Sequence, residues 1–119
     1  GETIVSDRFT ASALAYQGYG RGLDLELLRS TMRWATHGLE PDFTVLLDVE
    51  LDVARARLGD HVDRIEGAGA AFHERVRQGY LELAAADPER WIVVDAAGTV
   101  EEVGERVDAA VDAWLDRHR

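Results

Sequence analysis

Asp7 and Arg8 stand together at the end of a short β-branched run, TIVS, at residues 3–6. An arginine guanidinium presents paired N–H donors that match two oxygens of one phosphate. A neighbouring carboxylate can orient that arginine, or hold a metal ion through water. Further along, Tyr16 and Gln17 are side by side. An aromatic ring packs on a sugar or a base, and an amide pairs with a base edge. Taken singly, each of these residues is an ordinary surface ion pair or polar helix end. Gly18, Gly20 and Gly22 follow at once and invite comparison with phosphate-binding loops. The Walker form, G-x-x-x-x-G-K-[ST], needs a lysine, and the dinucleotide form, G-x-G-x-x-G, lies between a strand and a helix. GYGRG follows a predicted helix and carries arginine where lysine is required. The three glycines therefore read as a helix stop and a flexible turn. Arg55 and Arg57, in VARARL, are on their own the charges of an exposed helix. His37, His61, His73 and His118 have no metal-ligand spacing and read as surface or satisfied residues.

Composition narrows the classes. The chain has 119 residues, at most one domain, and 46% of them are hydrophobic, enough for a packed core. Its charge is 13 − 23 = −10, which disfavours nucleic acid and a membrane surface as partners. No apolar run approaches the roughly 18 residues of a membrane span, and no secretory signal is evident. Without cysteine there is neither a disulfide frame nor a thiolate metal site. A cytoplasmic protein is the expectation. All 13 basic residues are arginine. Any step that requires a lysine must draw it from outside these residues.

The elements that would position these groups alternate. TIVS (3–6) reads as a buried strand and 11–18 as a short helix. A helix is predicted over 24–38, with Leu28, Met32 and Ala35 at helical spacing and with Gly38 and Pro41 as stop signals. FTVLLDV (43–49) is a continuous apolar run, expected to be a strand buried on both faces. LDVARARL (51–58) reads as a helix, and 59–68 as a polar, mobile loop. Phe72, Val76, Tyr80 and Leu83 place a helix over 69–86, and WIVVD (91–95) is a third buried strand. Thr99 with Glu102 makes a capping box. Val103, Val107, Ala110, Val111 and Trp114 then line one helix face to about residue 116. This alternation predicts an α/β fold, a parallel sheet with helices on both faces. Three visible strands are few for that class, so residues 1–119 are expected to be the C-terminal portion of a larger domain.

The stretch SDRFTASALAYQGYGRGLD resembles the Asp-Arg and Ser-x-x-Ala-Tyr-Gln-Gly region of bacterial thymidylate kinases. The resemblance continues, in order and spacing, through PDFTVLLDV, DRIE, FHERVRQGYLELA and WIVVDA. It implies a P-loop nucleoside monophosphate kinase fold, with ATP as donor, dTMP as acceptor, Mg²⁺ as cofactor and a homodimer. It also implies roles for residues of this sequence. Arg8 would grip the acceptor phosphate, and Asp7 would sit by the phosphates and meet Mg²⁺ through water. Ser12 would lie in the acceptor helix, Tyr16 beside the deoxyribose, and Gln17 against thymine. Arg55, Arg57 and Arg64 would fall in or beside a lid at about 55–68, with Arg57 ranked first to cover the transferred group. Asp63 and Glu66 would hold the lid and the acceptor sugar. Ala96, Ala97 and Gly98 would form the loop that packs on adenine.

The sequence departs from that pattern in places. Ala13 stands where many relatives have Ser or Asn. The lid RLGDHVDRIE carries fewer arginines than in some relatives. The family's phosphate loop, with its lysine and its hydroxyl ligand for Mg²⁺, has no counterpart in these residues, so the chain alone is expected to be inactive. Other readings are a kinase for another nucleoside monophosphate or for a deoxynucleoside, and a truncated non-catalytic module that binds nucleotide or pairs with a partner.

Overall fold

The computed structural model describes residues 1–58 and 69–119. In chain order the elements are α1 (Thr10–Ala13), which continues as a π-helical segment (Leu14–Gly20), then α2 (Leu25–Ala35), β1 (Thr44–Asp48) and α3 (Leu51–Leu58). Further along come α4 (Gly69–Ala86), β2 (Trp91–Asp95) and α5 (Val100–Arg117).

β1 and β2 pair in parallel, from Thr44 opposite Trp91 to Asp48 opposite Asp95. Parallel strands cannot be joined by a hairpin and need a crossover, which here carries α3 and α4. Backbone bonds extend the ladder at both ends. Thr44 N–H donates to the Arg90 carbonyl at 2.7 Å, and Ala96 N–H donates to that of Asp48 at 2.8 Å. Both strands therefore deliver their carboxyl ends to the same edge, where ligands bind in open α/β sheets.

The core lies between α4 and the π-helical segment. Phe72 and Val76 of α4 are buried against Ala15, which is fully enclosed, and Tyr16 and Tyr80 pack on this group. The helices meet this closely because glycines face the contact. A Cβ on Gly20 would lie 2.7 Å from Phe72, and one on Gly79 would lie 2.5 Å from the Tyr19 ring. On α5 the expected apolar face is the one turned inward. Ala110 is buried, Val103, Val107, Val111 and Trp114 are half-buried, and Phe43 stacks on Trp114 at 4.9 Å.

Helices predicted over 51–58 and 69–86, and the strand over 91–95, form with those bounds. The capping box also forms, with Thr99 Oγ1 accepting from Glu102 N–H at 3.1 Å and Glu102 Oε1 accepting from Thr99 N–H at 3.3 Å. Four expectations need correction. TIVS is not a strand. It has no ladder partner among the described residues, and Ile4 and Val5 are 84% and 92% exposed. β propensity makes a strand only where a neighbour accepts its hydrogen bonds, and β1 takes β2 as its partner instead. Among the described residues the sheet thus has two strands. β1 is not buried on both faces, since Leu47 is more than half exposed. The 24–38 helix is shorter than predicted: Asp24 caps it, its carboxylate accepting from Glu26 N–H at 2.9 Å, and it ends at Ala35. Finally, Gly18 and Gly20 do not stop a helix. They are buried inside the π-helical segment, and Gly18 lies against Leu25 and Leu28. Only Gly22, with φ 77°, turns the chain out of it. The predicted mobile loop, 59–68, lies outside the described residues.

Candidate functional site

Two groups of residues gather the sequence-predicted positions. The first begins at Arg8, whose φ of 71° is in the left-handed region. A non-glycine residue there costs on the order of 1–3 kcal/mol, and such strain concentrates at functional sites. The Ser6 hydroxyl donates to the Arg8 carbonyl at 2.8 Å and helps hold this turn. The guanidinium lies over the Tyr16 ring, with Cζ 5.3 Å from its centroid, and Nη2 makes a long 3.5 Å bond to the Tyr16 hydroxyl. Tyr16 in turn meets Tyr80 edge-on at 6.3 Å and Phe72 at 6.2 Å. Ser12 and Tyr80 share a hydroxyl–hydroxyl bond of 2.9 Å. Burial pushes the Tyr80 phenol above its ordinary value, and the bond to Ser12 acts the other way. The phenol is therefore neutral at physiological pH and can donate or accept. The arrangement is a cation on an aromatic floor with two hydroxyls beside it, suited to a phosphate joined to a planar or ring-shaped group.

The π-helical segment is what brings these residues to one place. Its wider turns carry Tyr16 and Gly20 toward the same face of α4, and π turns recur at functional sites. Gln17 is half-buried on this segment, and its carbonyl accepts from Leu23 N–H at 3.0 Å. Tyr80 was not among the positions predicted from sequence. Its helical spacing from Phe72 and Val76 marked it only as core.

The second group is the loop leaving β2. Asp95 Oδ1 accepts from Ala97 N–H at 2.9 Å, and Gly98 takes φ 114°. Arg57, from α3, donates to the Gly98 carbonyl at 2.9 Å. The structure thus joins Arg57 to the loop of Ala96, Ala97 and Gly98. Arg106, from α5, donates to the carbonyls of Asp95, at 2.8 Å, and Ala97. At the same sheet edge Arg77 of α4 grips Asp48 with two bonds, of 2.8 and 3.1 Å. The bond to Asp48 raises the Arg77 pKa, so its charge is constant. Sequence reading missed Arg77 and Arg106. An arginine on an amphipathic helix looks the same whether it faces water or a carbonyl.

Asp7 is exposed. Among the described residues no three His, Cys, Asp or Glu side chains converge to hold a metal ion. Those residues do not make a direct site for Mg²⁺, and Asp7 offers one carboxylate. Asp63, Arg64, Glu66 and the Arg55 side chain lie outside the described residues. Within the described residues no helix is long and apolar enough to cross a membrane.

A family model described as thymidylate kinase matches residues 1–107. A protein of Desulforudis audaxviator named thymidylate kinase is 56% identical over 116 residues, which cover 97% of this chain and 52% of that protein. One from Deinococcus radiodurans with the same name is 49% identical, covering 93% of this chain and 55% of its own length. Another from Desulfovibrio desulfuricans is 44% identical, covering 98% and 58% respectively. The chain spans about half the length of these relatives.

Proposed function

The chain belongs to the thymidylate kinase family, and from that premise we propose that it is the C-terminal portion of an enzyme that transfers the ATP γ-phosphoryl group to dTMP, giving dTDP. The observation that supports this best is the Arg8 guanidinium held over Tyr16, with Ser12 and Tyr80 adjoining. Arg8 binds the acceptor phosphate with paired donors. Tyr16 and Ser12 line the deoxyribose side, and Gln17 reads the base. Glu66 and Asp63 hold the acceptor sugar and the lid, with Arg55 and Arg64 alongside. The loop of Ala96, Ala97 and Gly98 receives adenine. Arg57 covers the transferred group, and one of its nitrogens holds the Gly98 carbonyl at 2.9 Å. Phosphoryl transfer depends on positioning and charge neutralisation, which suits a site built from arginines. Mg²⁺ would supply part of that neutralisation, and Asp7 is the residue here that would help hold it.

A second copy of the chain is the proposed partner. α2 leaves Leu27 and Trp34 exposed, at 66% and 81%, an apolar surface that a homodimer would cover. The acidic charge of −10 disfavours nucleic acid and membrane partners, and a cytoplasmic enzyme is the reading adopted. These 119 residues contain no lysine. Phosphoryl transfer therefore awaits the phosphate loop from another segment.

The acceptor assignment is tested by Arg8→Lys in the full-length protein, with dTMP titrated in a calorimeter. Lysine keeps the charge and loses the paired geometry. Affinity is expected to fall about tenfold, a change of about 1.4 kcal/mol. Unchanged affinity removes Arg8 from the phosphate site. A fall that is equal for dTMP and for ribonucleoside monophosphates would keep Arg8 there while leaving the choice of acceptor to be read elsewhere.

A further inference from the structure

The loop after β2 is held through its backbone, and the side chain that does most of the holding comes from two turns into α5. Arg106 Nη1 donates to the Asp95 carbonyl at 2.8 Å and also to the Ala97 carbonyl. Its other terminal nitrogen lies 3.7 Å from Glu102 Oε2, one turn earlier on the same helix. Glu102 is itself committed to the capping box at Thr99, and its carboxylate lies 3.2 Å from where a Cβ on Gly98 would sit. The loop is therefore bounded on one side by an arginine and a glutamate that hold each other. Asp95 Oδ1 closes the inside of the turn through Ala97 N–H.

Two carbonyls separated by one residue do not ordinarily point at one donor. In an extended strand, successive carbonyls alternate sides, and carbonyls two apart point the same way several ångströms from each other. The shared guanidinium draws 95 and 97 together, and a bond to a charged donor is stronger than a neutral one. The left-handed φ of Gly98 then sends the chain into α5. Arg106 is 39% exposed, so its charge stays hydrated in part and its binding to the loop is not offset by full burial.

We propose that Arg106 is a positioning residue for donor-nucleotide binding. It sets the shape of the 96–98 backbone and so the surface offered to the purine ring, without itself touching the nucleotide. The inference rests on the reading of that loop as the adenine site. It goes beyond that reading in assigning the loop's shape to a residue outside the loop.

The test is steady-state kinetics of the full-length protein with Arg106→Met, which keeps a similar stem and loses the charge. KM for ATP should rise fivefold or more, while kcat at saturating ATP and KM for dTMP stay within twofold. Arg106→Lys, which keeps a cation on a shorter stem and loses the second terminal nitrogen that faces Glu102, should fall between the wild type and Arg106→Met. Ala97→Trp, which blocks the loop surface, is measured beside them. If Ala97→Trp raises KM for ATP and neither Arg106 variant does, the loop is the adenine site and the proposal for Arg106 is overturned. If Ala97→Trp leaves KM for ATP unmoved, the adenine reading itself fails. An Arg106→Met protein that melts earlier with all kinetic constants intact would show a structural role alone, and would also overturn the proposal.

Discussion

The Arg8 cluster and the loop after β2 are built on opposite plans. The first is made of side chains. A guanidinium, two phenols and a hydroxyl are stacked or bonded to one another, and the backbone beneath them matters for bringing them together. The second is made of backbone. Its residues are Ala96, Ala97 and Gly98, its chemistry is in carbonyls, and arginines from α3 and α5 hold those carbonyls from outside. The difference teaches where each region is vulnerable. The side-chain cluster depends on the packing of α4 against the π-helical segment. The backbone loop depends on helix ends and on charges that reach across from neighbouring elements.

Phe72→Ala should have the largest effect and tests that separation most directly. Phe72 is buried between Ala15 and Tyr16, and removing such a ring typically costs about 3–5 kcal/mol. Denaturant unfolding should register that loss. Hydrogen exchange should quicken in residues 10–20 and change little at Ala97, whose amide bonds to Asp95 within the loop. Equal quickening in both regions would erase the distinction. Thr99→Ala attacks the other plan. It removes the cap of α5 at a cost of about 0.5–2 kcal/mol, and should loosen 96–98 while leaving the Ser12–Tyr80 bond intact.

Tyr80→Phe is the smallest change and sharpens the first plan. It removes one hydroxyl–hydroxyl bond, worth about 0.5–1.5 kcal/mol. Its pH signature is more specific than its magnitude. Burial raises the phenol above its ordinary value of 10.0. The folded chain therefore keeps this proton to higher pH than the unfolded chain does. The contribution to stability is complete below pH 10.0 and is lost as pH rises through the folded value. Unfolding measured across pH 9–11 should show a shallower alkaline loss in Tyr80→Phe than in the wild type. Identical slopes would mean that Tyr80 is no more desolvated than a surface phenol.

Much of the framework was legible because its signals are local. The apolar spacing of Phe72, Val76 and Tyr80 gives α4 its length, and Thr99 with Glu102 fixes the start of α5. WIVVD forms the strand that its β-branched residues favour, because FTVLLDV is there to accept its hydrogen bonds. TIVS carries the same kind of letters and is not a strand, since pairing is a property of two segments and only one can be read at a time. The glycines at 18 and 20 misled for a related reason. Their lack of a side chain serves the approach of Leu25, Phe72 and Val76, which no local pattern announces. In the candidate sites, Arg8 and Tyr16 could be picked out by their chemistry, and Ser12 only through the resemblance to thymidylate kinases. Tyr80 could not, because its core role hides its hydroxyl. Arg106 could not, because the atoms it binds belong to the main chain and leave no mark in the sequence.

The π-helical segment makes chain length itself a determinant of the Arg8 cluster. A π turn bonds each N–H one residue further back than an α turn does, so the segment from Leu14 to Gly20 holds more residues per turn than the α1 helix that leads into it. Removing one residue there would let the helix relax to the α form, which is intrinsically the better-bonded one. The deletion and the tighter turns would nearly cancel beyond Gly20, so the change of face would fall on the residues inside the segment. Ser12 would keep its place while Tyr16 turned away from it. Substitutions along this stretch alter what the cluster is made of. An insertion or deletion alters which residues belong to it, so among homologous chains the spacing between Ser12 and Gly20 should vary less than the residues that fill it.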